Sequence, residues 1–257
     1  MSRFLLDRRK WLAGALATAS VTLMSACDRT TSPVVLQALR MAEGLTRRAQ
    51  RLVVPREALA PEYSRADISP DFRPNGSINP AAADYVALRD AGFADYRLEI
   101  GGLVERPLSL SLEELRARPS RTQITKHDCV EGWTSIAEWT GVRLETLLNE
   151  AGLKPEARYI VFYCFDALDQ AEDGVRYYES IDLIDARHPQ TLLAWAMNGR
   201  TLPVPHGAPL RLRVERQLGY KHAKYIRRIE AVESFDHIGG GKGGYWEDQG
   251  YEWYAGI

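Results

Sequence analysis

The 257-residue sequence predicts an α+β fold built on mixed sheets. Three observations predict it. Short apolar or alternating stretches outnumber helical patterns, the helical patterns are few, and strands do not alternate regularly with helices as a βαβ architecture requires. The chain is 45% hydrophobic and 26% charged, ordinary for a soluble globular protein of one large or two small domains. It is long enough to bury a sizeable core.

The elements follow in order. "VVLQALRMAEGLTRRAQRLV" (residues 34–53) spaces apolar residues at three to four and predicts a helix. "APEYSRADISPDFRPNGSINP" (60–80) is rich in Pro, Asn and Ser and reads as a long loop, a kind that is often functional. "YRLEIGGLVERPLSLSLEELRARP" (96–119) gives a strand, a Gly-Gly turn, a short strand and a helix opened by a capping box of Ser111 and Glu114. "TQITKHDCVEGW" (122–133) is a strand running into a loop, and "VRLETLLNEAGL" (142–153) is a helix stopped by Gly152. "ARYIVFYCFD" (157–166) is a strongly apolar strand. "YYESIDLIDARHPQTLLAWAMNGRTLP" (177–203) mixes a short helix with a hairpin at Asn198-Gly199. "APLRLRVERQLGYKHAKYIRRIEAVE" (208–233) reads as two alternating strands joined by a Gly-containing loop, and the tail from Gly239 is rich in Gly and aromatic residues.

The first segment stands apart from this fold. In "DRRKWLAGALATASVTLMSAC" (7–27), Arg8, Arg9 and Lys10 precede an apolar, small-residue run too short for a comfortable membrane span. Arg8-Arg9 followed by Trp11 and Leu12 looks like a twin-arginine export signal, and "LMSAC" looks like a lipobox ending at Cys27. The alternative is a plain secretory signal with an incidental Cys. Export of folded chains suits a protein that must acquire a cofactor first. Loss of residues 1–26 removes four basic residues and one acid, taking the formal charge from −1 to −4. That mild acidity argues against a nucleic-acid partner.

Three cysteines are present, Cys27, Cys129 and Cys164. There is no CxxC pair, no CxxCH haem attachment site and no zinc-finger spacing. Cys129 sits in "KHDCVEGW", among a base, two acids and an indole, where a core thiol is out of place. It is a core residue, half of a disulfide with Cys164, or a thiolate ligand for a soft metal. Residues 211–228 hold Arg211, Arg213, Arg216, Lys221, Lys224, Arg227 and Arg228 with Glu215 the one acid. Such a run suits a phosphate or pyrophosphate, with backbone N–H groups of "GYKHAK" assisting, or it is simply a solvated basic face. His206 lies in a Pro- and Gly-bounded turn beside this run, and Asn75 in "FRPNG" is by itself a turn residue.

Taken together these stretches resemble the sulfite oxidase superfamily of molybdopterin-dependent oxidoreductases, over about Phe72 to Glu233. "HDCVEGW" is similar to the segment whose Cys ligates molybdenum. "PQTLLAWAMNGRTLPVPHGAPLRLRV" is similar to the family's NG-x-x-L-P-x-x-HG-x-P-x-R signature, the most specific stretch. "GYKHAKYIRRIE" is similar to its pterin-binding loop and the strand after it, and "DYRLEIGGLVERPLSLSLEEL" to its first strands. The resemblance is nearest to the periplasmic methionine sulfoxide reductase catalytic-subunit branch.

The resemblance implies a sulfite-oxidase-type molybdopterin-binding fold without the C-terminal dimerisation domain. It divides the chain into a signal at 1–26, an N-terminal helix and loop at 27–70, and a molybdopterin-binding domain at 71–257. It implies a molybdenum-molybdopterin cofactor, with Cys129 as metal ligand and catalytic residue. Asn75, Cys164, His206, Arg211, His222, Ala223 and Lys224 fall at cofactor-binding positions. Cys164 stands where that branch has a cofactor-contacting Thr. Thr134 stands where the sulfite-oxidising branch holds its substrate with an Arg, which speaks against a sulfite dianion. The expected activity is two-electron or oxygen-atom transfer on a sulfoxide-type substrate, outside the cytoplasm, by a monomer. Electrons must come from a separate carrier such as a membrane haem subunit or a cytochrome, and membrane contact would be through a lipid anchor on Cys27 alone. The alternatives are a sulfite oxidase-like enzyme and a non-enzymatic exported lipoprotein.

Overall fold

The computed structural model describes residues 33–168 and 175–257. The signal read at 1–26 and the lipobox Cys27 lie outside the described residues. The chain divides into two compact units, Met1–Val53 and Val54–Ile257. In the first, helix α1 spans Pro33–Val53, as its periodicity predicts.

The second unit is α+β, with two five-stranded sheets. Its elements in order are α2 (Ala83–Asp90), β1 (Arg97–Gly102), β2 (Leu108–Ser111), α3 (Leu112–Arg116), β3 (Ser120–Asp128), β4 (Thr134–Arg143) and α4 (Leu144–Ala151). They continue with β5 (Tyr159–Cys164), β6 (Tyr178–Asp182), α5 (Leu183–Ala186), β7 (Leu192–Met197), β8 (Arg200–Thr201), β9 (Arg211–Arg213), β10 (Ile226–Val232) and α6 (Tyr245–Asp248). One sheet has the order β2-β1-β10-β5-β6; β1 and β10 are parallel and the other pairs antiparallel, so this sheet is mixed. The other runs β3-β4-β7-β8 with β9 also paired to β7, all antiparallel.

Several local signals operate as predicted. Glu114 N donates to Ser111 Oγ at 3.1 Å and Ser111 N donates to Glu114 Oε2 at 2.8 Å, a complete capping box on α3. Gly152, at φ 70°, ends α4. Asn198 and Gly199, at φ 51° and 71°, make the tight turn between β7 and β8.

Three expectations need correction. Residues 134–141, which the sequence pattern leaves unassigned, and 142–143, read as the helix start, are β4, the longest described strand; the helix begins only at Leu144. The pattern is hidden because Ser135 and Glu138 are polar yet buried, and because Gly141 sits at a register shift where a Cβ would lie 2.1 Å from Leu193 O. Residues 178–182, read into a helix and hairpin, form β6. β9 is not an alternating strand: all three of its residues are buried, because both of its faces are covered.

The larger core cluster gathers β1, β5 and β10 with α4 around Leu98, Leu147, Phe162 and Ile229. A smaller one joins Phe72, Ala137, Trp139 and Met197. The loop at 54–70 runs along the second sheet: Tyr63 N donates to Ile124 O at 2.9 Å and Ser69 N to Ile136 O at 3.0 Å. His188 docks its start. Its Nε2–H donates to Ala58 O at 3.1 Å and its Nδ1 accepts from Gln190 N at 3.3 Å, so the ring must be neutral. Burial pushes its pKa down to about 4, with Arg216 adding to the shift. Unfolding frees the ring to take a proton below its ordinary value, so this stability is present above about pH 6.5 and is lost as pH falls toward 4. Thermal unfolding followed from pH 7.5 to 4.5 is expected to show a falling midpoint. His188→Gln should flatten the profile by about 1.4 kcal/mol per pH unit across that window.

Candidate functional site

A turn joins β3 to β4 and presents Cys129. Cys129 N donates to Trp133 O at 2.9 Å, and Gly132 N returns to Cys129 O at 3.0 Å, with Gly132 at φ 85°. A side chain is rarely tolerated in that conformation, which accounts for the glycine. Trp133 Nε1 donates to Glu131 Oε2 at 2.9 Å and fixes the far side of the turn. The resulting Cys129 is buried and lines an open cavity. Burial pushes its thiol pKa up, against the downward pull of the Glu131 amide and of Arg73 and Arg211.

The cavity lies where the chain crosses from one sheet to the other. Its walls are the loop Asn75–Ser77, the turn Cys129–Glu131, Asp166 and Leu168 after β5, and Tyr177 before β6. Gly219, Tyr220, His222 and Lys224 of the β9–β10 crossover, with Trp246 and Tyr251 of the C-terminal segment, complete it. Lys224 pins the first wall. Its ammonium donates to Asn75 O at 2.6 Å, to Pro205 O at 2.9 Å and to Ser77 O. Gly207, at φ 110°, is required beside it, because a Cβ there would lie 2.9 Å from Lys224 Cβ. Tyr225 Oη also donates to Ser77 O, at 2.9 Å.

The basic run is not a solvated face. Arg211, Arg213, Arg216, Lys221 and Lys224 are all buried. Arg213 pairs with Glu215 at 2.6 Å and Arg216 with Asp185 at 2.6 Å. Lys221 bridges Glu179 and Glu247, the latter at 2.6 Å. Burial and the neighbouring Glu247 push Glu179 well up, and Lys221 pulls it back. Lys224 is pushed down by burial and by Arg211, and Asp166 opposite it is pushed up by burial.

Arg211 is the exception. It is fully buried, stacks over Trp139 at 5.2 Å, and among the described residues forms no ion pair. Nη1 donates to His206 O at 3.2 Å, Nη2 to Asn75 Oδ1 at 3.4 Å, and Nε has no partner. Burial and Arg213 push its pKa down to about 9. A buried guanidinium among neutral acceptors is costly until an anion reaches it. Asp166 Oδ1 is likewise buried without a partner while its residue lines the cavity. An unpaired cation, an unused acceptor and a buried thiol fit an anionic organic cofactor that carries N–H donors and a soft metal.

Of the eight residues singled out in the sequence, the cavity wall brings together Asn75, Cys129, His222 and Lys224. Arg211 stands behind Asn75, donating to its side-chain oxygen and to the His206 carbonyl. His206 is held neutral, pushed to about 4 by burial and Arg211. His222 is also pushed well down by burial and by Arg213, and its Nε2 bonds Gln217 O at 3.1 Å. Ala223 packs in the core, its carbonyl accepting from Leu212 N at 2.8 Å. Cys164 ends β5 in the core and does not line the cavity; its N donates to Tyr177 O at 3.0 Å. Cys129 and Cys164 are both free thiols, so the disulfide alternative fails.

Sequence reasoning missed Asp166, Tyr177, Tyr220, Trp246 and Tyr251. Asp166 had a signal, an acid closing the apolar run "FYCFD". Trp246 and Tyr251 stack at 5.2 Å and 26°, a pairing set by their five-residue spacing across the end of α6.

The family model of the oxidoreductase molybdopterin binding domain matches residues 85–237. A putative protein-methionine-sulfoxide reductase subunit YedZ1 of Azospira oryzae is 35% identical over 97% of this chain and 87% of its own length. The protein-methionine-sulfoxide reductase catalytic subunit MsrP of Gluconobacter oxydans is 37% identical over 54% of this chain and 47% of its own. The chain thus spans about half the length of such MsrP relatives. The solved sulfane dehydrogenase SoxCD of Paracoccus pantotrophus overlaps 55% of this chain and 39% of that one, with a TM-score of 0.49 and 30% identity.

This chain is a cofactor-dependent redox enzyme. It belongs to the family of oxidoreductases with a molybdopterin-binding domain and is a molybdenum-dependent member of it. The reading as a non-enzymatic lipoprotein falls with that membership.

Proposed function

We propose that the enzyme reduces a neutral sulfoxide-type substrate, in the periplasm, with Cys129 as the protein's ligand to molybdenum. The observation that carries the substrate class is the charge lining the cavity. Among the described lining residues two are carboxylic, Glu131 and Asp166, and the one lysine, Lys224, has its donors spent on three carbonyls. A sulfite dianion needs a fixed, available cation. At the position expected of that cation, Thr134 Oγ1 instead donates to Asp128 Oδ1 at 2.6 Å. Stacked Trp246 and Tyr251 offer an aromatic wall suited to an apolar thioether or sulfoxide. The methionine sulfoxide named in the relatives' titles has that chemistry.

The bound cofactor supplies two-electron oxygen-atom transfer. The protein's share is binding and positioning. Cys129 gives one soft ligand from a turn fixed by Gly132 and Trp133. Arg211, with His206 and Asn75, would hold the anionic end of the cofactor; Asp166 would accept from N–H donors on it; His222 and the Ala223–Lys224 backbone would close the loop; and Cys164 would shape the wall from behind. The relatives are named as subunits, which supports a separate electron carrier. The twin-arginine and lipobox reading of residues 1–27, and a cofactor-binding domain at 71–257, are part of this proposal.

A substrate screen with a reduced dye as electron donor tests it. Protein from a molybdenum-replete host is expected to contain the metal and to oxidise the dye when methionine sulfoxide is added. Sulfite oxidation without sulfoxide reduction would overturn the substrate class. In the same preparation Arg211→Ala is expected to lower pterin content per chain. The lost charge-assisted contact is worth roughly 1.5–3 kcal/mol, about ten- to a hundred-fold in retention.

A further inference from the structure

One face of the second sheet is both buried and polar. Gln123, Thr125 and His127 of β3, Trp139 of β4, and Arg211 and Arg213 of β9 are all buried. Toward β3 the face satisfies itself. Gln123 Nε2 donates to Gln190 O at 3.0 Å and to Glu215 Oε1 at 2.9 Å, and Arg213 pairs with Glu215 and donates to His127 Nδ1 at 3.1 Å. Toward Phe72 it does not. Trp139 Nε1, Arg211 Nε and His206 Nδ1 are buried without a partner. They belong to one small cluster. Arg211 Cζ lies over the Trp139 ring at 5.2 Å, and Arg211 Nη1 donates to His206 O. Phe72 sets its ring nearly perpendicular to Trp139 at 5.5 Å and to His206 at 5.4 Å.

Charge is unbalanced in the same place. Two guanidiniums lie over the Trp139 ring, Arg211 and, at 4.4 Å, Arg213, and one carboxylate, Glu215, answers them. The ring otherwise packs with Phe72, Ala137, Ala194, Met197 and Leu202. A phenyl ring would serve that apolar cluster and strand no donor, whereas a buried N–H without an acceptor is costly. An indole here is accounted for when something accepts from it. We propose that Trp139 is a further cofactor-binding residue, its indole N–H donating to the same phosphate that Arg211 neutralises. This rests on the reading of Arg211 as the residue that holds the anionic end of the cofactor. A phosphate presents more acceptor positions than one guanidinium fills, and a neutral donor beside Arg211 satisfies one of them without adding to the buried charge.

Retention of pterin by the purified holoenzyme through repeated gel filtration tests this without an assay of turnover. Trp139→Phe keeps an aromatic face under Arg211 and removes the donor, and it is expected to lose pterin about ten-fold faster than the parent. Met197→Ala thins the same apolar cluster and removes no donor, so its loss should stay near the parental rate. If the smaller ring unfolds the chain, benzothienylalanine at position 139, with sulfur in place of the N–H, is read instead and should show the same loss. Parental retention in the donor-free variant while Arg211→Ala sheds pterin would overturn the role of Trp139 and leave that of Arg211 standing. Equal loss from the donor-free variant and Met197→Ala would overturn it too, because packing alone would then explain both. Parental retention in Arg211→Ala as well would remove the phosphate from this place and the reading of Arg211 with it.

Discussion

Cys129→Ser is expected to give a folded, pterin-bearing protein whose turnover is at least about 10³-fold lower, or ~4 kcal/mol in barrier height. The sulfur is the only soft donor that the cavity wall offers among the described residues. A hydroxyl has nearly the same size, so the Asp128–Trp133 turn, which rests on backbone bonds and on Gly132, is undisturbed. A hard neutral oxygen is a poor substitute for a thiolate on a soft metal. Circular dichroism should match the parent, molybdenum per chain should fall, and dye oxidation by sulfoxide should vanish. Parental turnover would remove Cys129 from the metal and with it the proposed site.

Lys221→Met is expected to cost about 3–5 kcal/mol of stability, lowering the unfolding midpoint by roughly 10 °C. Lys221 is fully buried between Glu179 and Glu247, and each of those carboxyls has a second oxygen without a partner. Removing the ammonium strands negative charge where burial already pushes Glu179 toward its protonated form. The triad joins β6, the turn that carries Gly219 and Tyr220, and α6, so the cavity should loosen with it. Lys221→Met combined with Glu247→Gln should recover much of the loss, because replacing a buried pair costs far less than halving it. Differential scanning calorimetry of the parent and the two variants separates a charge effect from simple loss of packing. Equal destabilisation of the single and double variants would show that the charges contribute nothing.

The parts of the site that depend on local chain chemistry were legible in the sequence. Cys129 stood out because polar neighbours and Gly132 do not surround a core thiol, and the Gly207 turn with the basic residues beyond it marked the crossover. The α+β class and the mixed sheet followed from short strands without βαβ alternation. What could not be read depends on distant partners. Glu138 looks like a break in a strand, yet its carboxylate meets Arg65 at 2.6 Å and its N–H meets Asn198, so β4 carries it buried. The arginines of β9 look exposed until Trp139, Glu215 and His127 are known to receive Arg213. Asp166 and Tyr251 stand 85 residues apart in the chain, and only tertiary packing puts both on the cavity wall. Asn75, Trp246 and Tyr251 also lie outside the span matched by the family model.

The contrast between the two described cysteines has a practical consequence. Cys164 is sealed in the core, its thiol pushed well up by burial and by Asp166, so a soluble alkylating reagent finds neither access nor thiolate there. Cys129 is 8% exposed and opens on the cavity. Once its sulfur is bound to metal it no longer reacts. Label recovered on the peptide that contains Cys129 therefore counts the chains lacking metal, giving the occupancy of a preparation by mass spectrometry without any assay of turnover.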